Sequence, residues 1–339
     1  MSTPSTPSTD ATSPTTPSTA AAAAHSASSA AAAPLRGVVP PLCTPLTPSG
    51  ALDTRSLRAL VHHLLAAGVH GLFVAGSTGE AAVLDDEVRH AAIRTTVEAA
   101  DGRVPVLAGV LDTGTARVLD HARAAADAGA DALVATAPFY YGTHPRETAD
   151  HFRRIRARVD LPLYAYQIPV NVHTTLDRHT LTALAQDGTL AGLKDSSGDL
   201  GELRRLLVEL RNAGLLTSFT VLTGSELAVD AALLAGAHGV VPGLGNVDPA
   251  GYVRLYQAAR EGRWREAAAE QDRLAALFSL TEAGRPPAMS GPASALGAFK
   301  AALHLLGVID CPATAAPFTP LDEAAVTRVR DTLRRGGLL

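Results

Sequence analysis

Leu190-Ala191-Gly192-Leu193-Lys194-Asp195-Ser196-Ser197-Gly198-Asp199 is a short apolar run that ends on a lysine and then breaks into small polar residues. Its length and its glycine and serine boundaries read as a buried strand leading into a loop. Lysine is an unusual end for such a run, because burying an ammonium is costly unless it is paired or neutralised. Withdrawal from water favours the neutral amine, and a neutral amine attacks carbonyl carbon. A strand-end lysine that stretches its stem to reach water is the plainer alternative. The rest of the chain decides between them.

Seven more runs have this texture, at Val38–Cys43, Gly71–Ala75, Val104–Ala108, Ala132–Ala137, Leu163–Gln167, Phe219–Thr223 and Gly239–Val241. With Ala191–Lys194 they make eight, separated by helical patterns, as repeated strand–helix units of a parallel sheet require. Leu57, Leu60, Val61, Leu64 and Leu65 mark one face of a helix, with Asp53 as its N-cap and Gly68 as its stop. Thr115–Gly129 and His179–Ala185 read the same way. Eight units favour a closed (β/α)8 barrel. An open doubly wound sheet would place a G-x-G-x-x-G turn after its first strand, where this chain has Thr44-Pro45-Leu46-Thr47. After Gly245 the rhythm changes. Asp248-Pro249 is an N-cap and helix start, and helical patterns continue over Trp264–Leu280, Ala293–Leu306 and Asp322–Arg335. The expected organisation is a tail over 1–35, a barrel over 36–247 and a helical extension over 248–339 packed on the barrel.

The tail is almost wholly Ser, Thr, Pro and Ala, and the first Lys or Arg is Arg36. It has neither the basic start and apolar core of a secretory signal nor the arginines of a mitochondrial one. The composition predicts disorder and a cytoplasmic protein. Of the 339 residues 47% are hydrophobic and 18% charged, which suits a large buried core. A net charge of −4 gives no electrostatic footprint for nucleic acid or an anionic membrane surface. No run is long and apolar enough to span a bilayer. The two cysteines, Cys43 and Cys311, form neither a disulfide framework nor a metal cluster, and the histidines show no ligand spacing.

In a barrel the chemistry sits at the C-terminal ends of the strands. There, Gly76-Ser77-Thr78-Gly79-Glu80 offers two hydroxyls and several backbone N–H groups, a nest for a carboxylate, without the lysine of a phosphate-binding P-loop. Pro138-Phe139-Tyr140-Tyr141-Gly142 follows the fourth strand, and its aromatics serve packing or the site. In Tyr164-Ala165-Tyr166-Gln167-Ile168-Pro169-Val170-Asn171, alternation places Tyr164 and Tyr166 on one face. Tyr166 stands at the mouth, where a phenol can relay protons or bond a backbone carbonyl. Nest, tyrosine and Lys194 lie on strands two, five and six of one barrel.

These motifs, Gly76-Ser77-Thr78-Gly79-Glu80, Tyr166-x-x-Pro169 and Gly192-Leu193-Lys194-Asp195, resemble the dihydrodipicolinate synthase / N-acetylneuraminate lyase family over about residues 36–339. The resemblance implies a (β/α)8 barrel with C-terminal helices, a homotetramer or homodimer, and Schiff-base chemistry on pyruvate or another 2-oxo acid without metal or cofactor. It implies that Lys194 is the Schiff-base lysine and Tyr166 the proton-shuttling tyrosine. Ser77 and Thr78, with Gly76, would hold the carboxylate, and Ser77 would link Tyr166 to Tyr140. In many family members the counterpart of Tyr140 reaches a neighbouring subunit's site. Asn171, Ser196 and Val241 join the substrate-binding candidates, with His173, Ser225 and Glu226 as further distal contacts. One position departs from the synthases, which carry an arginine where this chain has Asn171. An amide cannot supply that bidentate charged grip. The pattern is closer to 4-hydroxy-2-oxoglutarate and 2-keto-3-deoxy sugar-acid aldolases. The expectation is therefore a class I aldolase that cleaves a 4-hydroxy-2-oxo acid to pyruvate and an aldehyde. A synthase or dehydratase using the same iminium, and a non-catalytic acid-binding barrel, are the alternatives.

Overall fold

The computed structural model describes residues 1–2, 35–284 and 289–339. The chain divides into two units, Met1–Ala32 and Ala33–Leu339. Residues 3–34, where the disordered tail was expected, lie outside the described residues.

Eight parallel strands build the core: β1 (Gly37–Val38), β2 (Leu72–Val74), β3 (Val106–Gly109), β4 (Ala132–Thr136), β5 (Leu163–Gln167), β6 (Gly192–Asp195), β7 (Thr220–Thr223) and β8 (Gly239–Val240). Their order is β1-β8-β7-β6-β5-β4-β3-β2. The circle closes where Pro41 bridges Phe73 and Leu42 N–H donates to Phe73 O over 2.8 Å. The first strand is shorter than the expected Val38–Cys43 because Pro40 and Pro41 have no N–H to give the ladder. Pro105 likewise delays β3 to Val106.

The helices between strands are α1 (Thr54–Ala66), α2 (Asp86–Ala100), α3 (Thr115–Asp127), α4 (Pro145–Arg156), the single turn α5 (Pro169–Val172), α6 (Arg178–Gln186), α7 (Leu200–Asn212) and α8 (Val229–Ala235). Asp53 caps α1 by accepting from Ser56 N–H, and Leu57, Leu60, Val61 and Leu64 are its buried face. After β8 come α9 (Pro249–Arg260), α10 (Trp264–Phe278), α11 (Gly291–Leu305) and α12 (Glu323–Arg335). Asp248 caps α9 as its sequence suggested.

Strand alternation sorts the core in two. Val39, Phe73, Leu107, Val134, Tyr164, Tyr166, Leu222 and Val241 fill the barrel interior, while Ala108, Leu133, Ala165, Leu193 and Val221 face the helices. The extension is tied to the barrel by polar contacts as well. Gln271 of α10 donates to Glu226 O and accepts from Val229 N–H, each over 2.9 Å. Among the described residues no helix is long and apolar enough to cross a membrane.

Candidate active site

Tyr166 and Lys194 are register partners on β5 and β6, so both side chains enter the interior at the same level. Lys194 is 6% exposed. Its Nζ lies 3.9 Å from the centroid of the Tyr166 ring and 4.9 Å from that of Phe73. Among the described residues no carboxylate forms an ion pair with it. It faces the two aromatic rings and the Tyr166 hydroxyl, and the Glu226 carboxyl is near enough to feel its charge. The next residue, Asp195, points outward. Its carboxyl is buried, accepts from Ser197 N–H over 3.0 Å, and is pushed up by burial.

Tyr166 Oη is 3.5 Å from Ser77 Oγ. Burial alone would raise its pKa. The Lys194 ammonium, with hydrogen bonds to Ser77, Lys194 and Ser196, outweighs burial and holds the phenol below its ordinary range. A phenol poised this way ionises more readily than in water, which suits proton transfer.

The loop Gly76–Glu80 begins and ends on left-handed backbone, Ala75 at φ 56° and Glu80 at φ 61°. Such conformations cost energy in non-glycine residues and persist only where surroundings enforce them. Several do so here. Thr44 Oγ1 donates to Gly79 O over 2.7 Å, and Glu80 N–H donates to Ser77 O over 3.0 Å. Gly109 lets Ala75 O approach so closely that a Cβ there would lie 2.0 Å from it. Beneath the loop, Glu80 is 2% exposed and Lys300 of α11 is fully buried. The two form an ion pair, Glu80 also accepts from Ala315 N–H over 2.6 Å, and Lys300 Nζ donates to Ala313 O over 2.7 Å. Cys43 lies close by, its thiol pushed up to about 12 by burial despite the pull of Lys300, which leaves it inert.

The other expected residues divide clearly. Ser77, Thr78, Asn171 and Glu226 line one cavity. Val241 is buried in the interior. Ser196 follows Lys194, and its Oγ occupies space that a side chain at Gly224 would need. Glu226 is committed elsewhere: its carboxylate accepts from Gly243 and Leu244 N–H over 2.8 and 2.9 Å and from Tyr252 Oη over 2.8 Å. His173 is exposed and ends α5. Tyr140 is not brought to Ser77 within one chain. It is 81% exposed, at φ 86°, with its ring edge-on to Tyr141 at 5.0 Å. Lys300 was missed by the sequence reading, since it lies in an Ala- and Leu-rich helix without a polar neighbour to mark it. Phe73 was seen only as a strand residue.

A family model described as the dihydrodipicolinate synthetase family matches residues 34–335. The chain belongs to this family. Its members are class I pyruvate-dependent carbon–carbon lyases, and the chain is such an enzyme. It is 33% identical over 304 residues to a 4-hydroxy-tetrahydrodipicolinate synthase of Phenylobacterium zucineum, covering 90% of this chain and 98% of the relative. It is 36% identical over 263 residues to an uncharacterized DapA-like lyase of Halobacterium salinarum, covering 78% and 84%. Among solved structures it is similar to YagE, a prophage protein of the dihydrodipicolinic acid synthase family from E. coli K12 in complex with pyruvate. There the TM-score is 0.83 at 29% identity, with 90% and 99% of the chains covered. It is also similar to a monomeric dihydrodipicolinate synthase variant, with a TM-score of 0.82 at 27% identity over 90% and 98%.

Proposed function

We propose that this lyase is an aldolase that cleaves a 4-hydroxy-2-oxo acid to pyruvate and an aldehyde through a Schiff base on Lys194. The observation that carries the proposal is the placement of the Lys194 amine, buried and without a carboxylate partner among the described residues, against Tyr166 and within reach of the Ser77 loop. Ser77, Thr78 and the backbone N–H groups after Gly76 receive the substrate carboxylate. Lys194 Nζ adds to the C2 carbonyl and water leaves, giving an iminium. The iminium takes the C3–C4 electron pair as the C4 hydroxyl gives its proton to Tyr166 Oη, and the aldehyde departs. The enamine regains a proton at C3, and water releases pyruvate and the free amine. No external cofactor takes part in this scheme.

A second copy of the chain would complete the proton path. Tyr140 projects into solvent on strained backbone, as a residue serving a neighbour's Ser77 would. The related synthase reaction uses the same iminium and is favoured by the names of the relatives. Asn171, in place of the synthases' arginine, weighs against it. The test is to treat the protein with pyruvate and borohydride and measure the intact mass. A pyruvate-sized adduct on the wild type that is absent from Lys194→Ala supports the Schiff base, and its absence from both refutes it. Release of pyruvate from 4-hydroxy-2-oxo acids then separates aldolase from synthase.

A further inference from the structure

Between the loop Gly76–Glu80 and the C-terminal extension lies a cavity of about 320 Å³. Ser77, Thr78 and Asn171 are on its lining. Its apolar lining comes from Phe278 of α10, Leu296 and Phe299 of α11, and Phe318, together with Val83 and Leu111 of the barrel. Among the described residues that line it there is no lysine or arginine. Lys300 is not on the lining, and its ammonium is committed to Glu80 and Ala313 O. The charged groups on the lining are both acidic, Glu80 within its ion pair and Glu226. The Glu226 carboxylate is fixed by two backbone donors and Tyr252, so it cannot swing away.

With the Ser77 and Thr78 hydroxyls given to the first carboxylate, a second carboxylate on the substrate would enter this volume without a cation, with the uncharged Asn171 amide as its side-chain donor and the buried acidic group of Glu226 beside it. That placement is costly. An apolar group would instead cover aromatic and aliphatic surface and release water. We infer that the substrate's distal group, beyond the C4 hydroxyl, is uncharged and apolar, of the size of an aromatic ring. The inference rests on the Schiff-base reading above and narrows it to R–CH(OH)–CH2–CO–COO⁻ with R aryl or alkyl. Cleavage is redox-neutral and yields R–CHO and pyruvate, the C4 hydroxyl proton being replaced on C3.

The test compares 4-hydroxy-2-oxo-4-phenylbutanoate with 4-hydroxy-2-oxoglutarate on the full chain, following pyruvate release. The expected kcat/KM ratio favours the phenyl compound by about 100-fold or more, the scale at which an enclosed site rejects a mismatched group. Ala295→Arg places a cation on the same lining from a half-buried helix position. It is expected to move the ratio toward the dicarboxylate by at least about tenfold, since a desolvated charge pair is worth that much. Equal or reversed preference in the wild type, or an unchanged ratio in the variant, overturns the inference. Borohydride trapping with pyruvate on the same sample separates the two layers. An adduct together with a preference for the dicarboxylate sinks the apolar assignment alone. A missing adduct sinks the Schiff-base reading and the inference with it.

Discussion

Replacing Lys300 by methionine isolates what holds the carboxylate-binding loop in place. Glu80 and Lys300 are both buried, at 2% and 0% exposure. Among the described residues Glu80 has one other hydrogen-bond partner, Ala315 N–H, at 2.6 Å. Lys300→Met removes the cation, keeps a flexible apolar stem of similar length, and leaves the Glu80 carboxylate enclosed with that single donor. Breaking one side of a buried pair costs about 3–5 kcal/mol, because the remaining charge keeps its desolvation penalty. For a domain this large each kcal/mol moves the thermal midpoint by about 2 °C, so the drop should be roughly 6–10 °C. The loop should loosen as well, since Glu80 N–H closes onto Ser77 O, and kcat/KM should fall with it. The assay is denaturant and thermal unfolding at one fixed protein concentration, so that association does not move the midpoint. The double variant Glu80→Gln, Lys300→Met carries no buried charge and should recover most of the stability. A single variant as stable as the wild type, or a double variant no better than the single, would refute the claim that an unpaired carboxylate is what is being measured.

Further outcomes follow from the same geometry. Tyr166→Phe removes the hydroxyl paired with Ser77 and should lower kcat by about 10²- to 10⁴-fold. Its borohydride adduct with pyruvate should persist; full activity would show that the proton goes elsewhere. If Tyr140 serves a neighbouring copy, Tyr140→Phe and Lys194→Ala chains, each inactive alone, should regain activity when refolded together. Sites with both residues intact can form only in mixed assemblies, and no recovery would argue against a shared site. His151 is buried beside Phe152, and burial depresses its pKa from 6.5 to about 4. The fold keeps it neutral while the unfolded chain protonates it. Its contribution is therefore whole above about pH 6.5 and is lost as pH falls toward 4, to the extent of about 3 kcal/mol. His151→Gln should flatten the unfolding free energy across that window, and an unchanged slope would exclude His151 as the source.

Strand positions were legible because a barrel strand buries both faces and so appears as an unbroken apolar run. Leu163–Gln167 matches its element fully. The errors fall where backbone chemistry interrupts the ladder, at Pro40-Pro41 and Pro105, because hydrophobicity does not register a missing N–H. That Tyr164 and Tyr166 share one face followed from alternation, and the fold turns that face to the interior. The Glu80–Lys300 pair was not legible. Its partners are far apart in sequence, and a lysine in Ala298-Phe299-Lys300-Ala301-Ala302 looks like one helix position among others. Only tertiary packing shows that its surroundings are dry.

The site shows a division that sequence reading meets unevenly. The groups proposed for chemistry, Lys194, Tyr166 and Ser77, are polar residues at strand ends, and a polar residue in an apolar context is itself a signal. The groups proposed for selectivity are Phe278, Leu296, Phe299 and Phe318, on helices and a loop that also supply ordinary core. Nothing in their spacing distinguishes a side chain that lines a substrate cavity from one that packs another helix, and Phe299 is buried as deeply as many core residues. Asn171 could be read as the loss of a charge, but what replaces that charge depends on the face α10 and α11 present to the barrel mouth. A barrel that keeps its Schiff-base rim and changes the helices laid over it can therefore alter its aldehyde without altering its chemistry. In such a chain the reaction class is written in a few polar residues, and the substrate is written in the apolar ones.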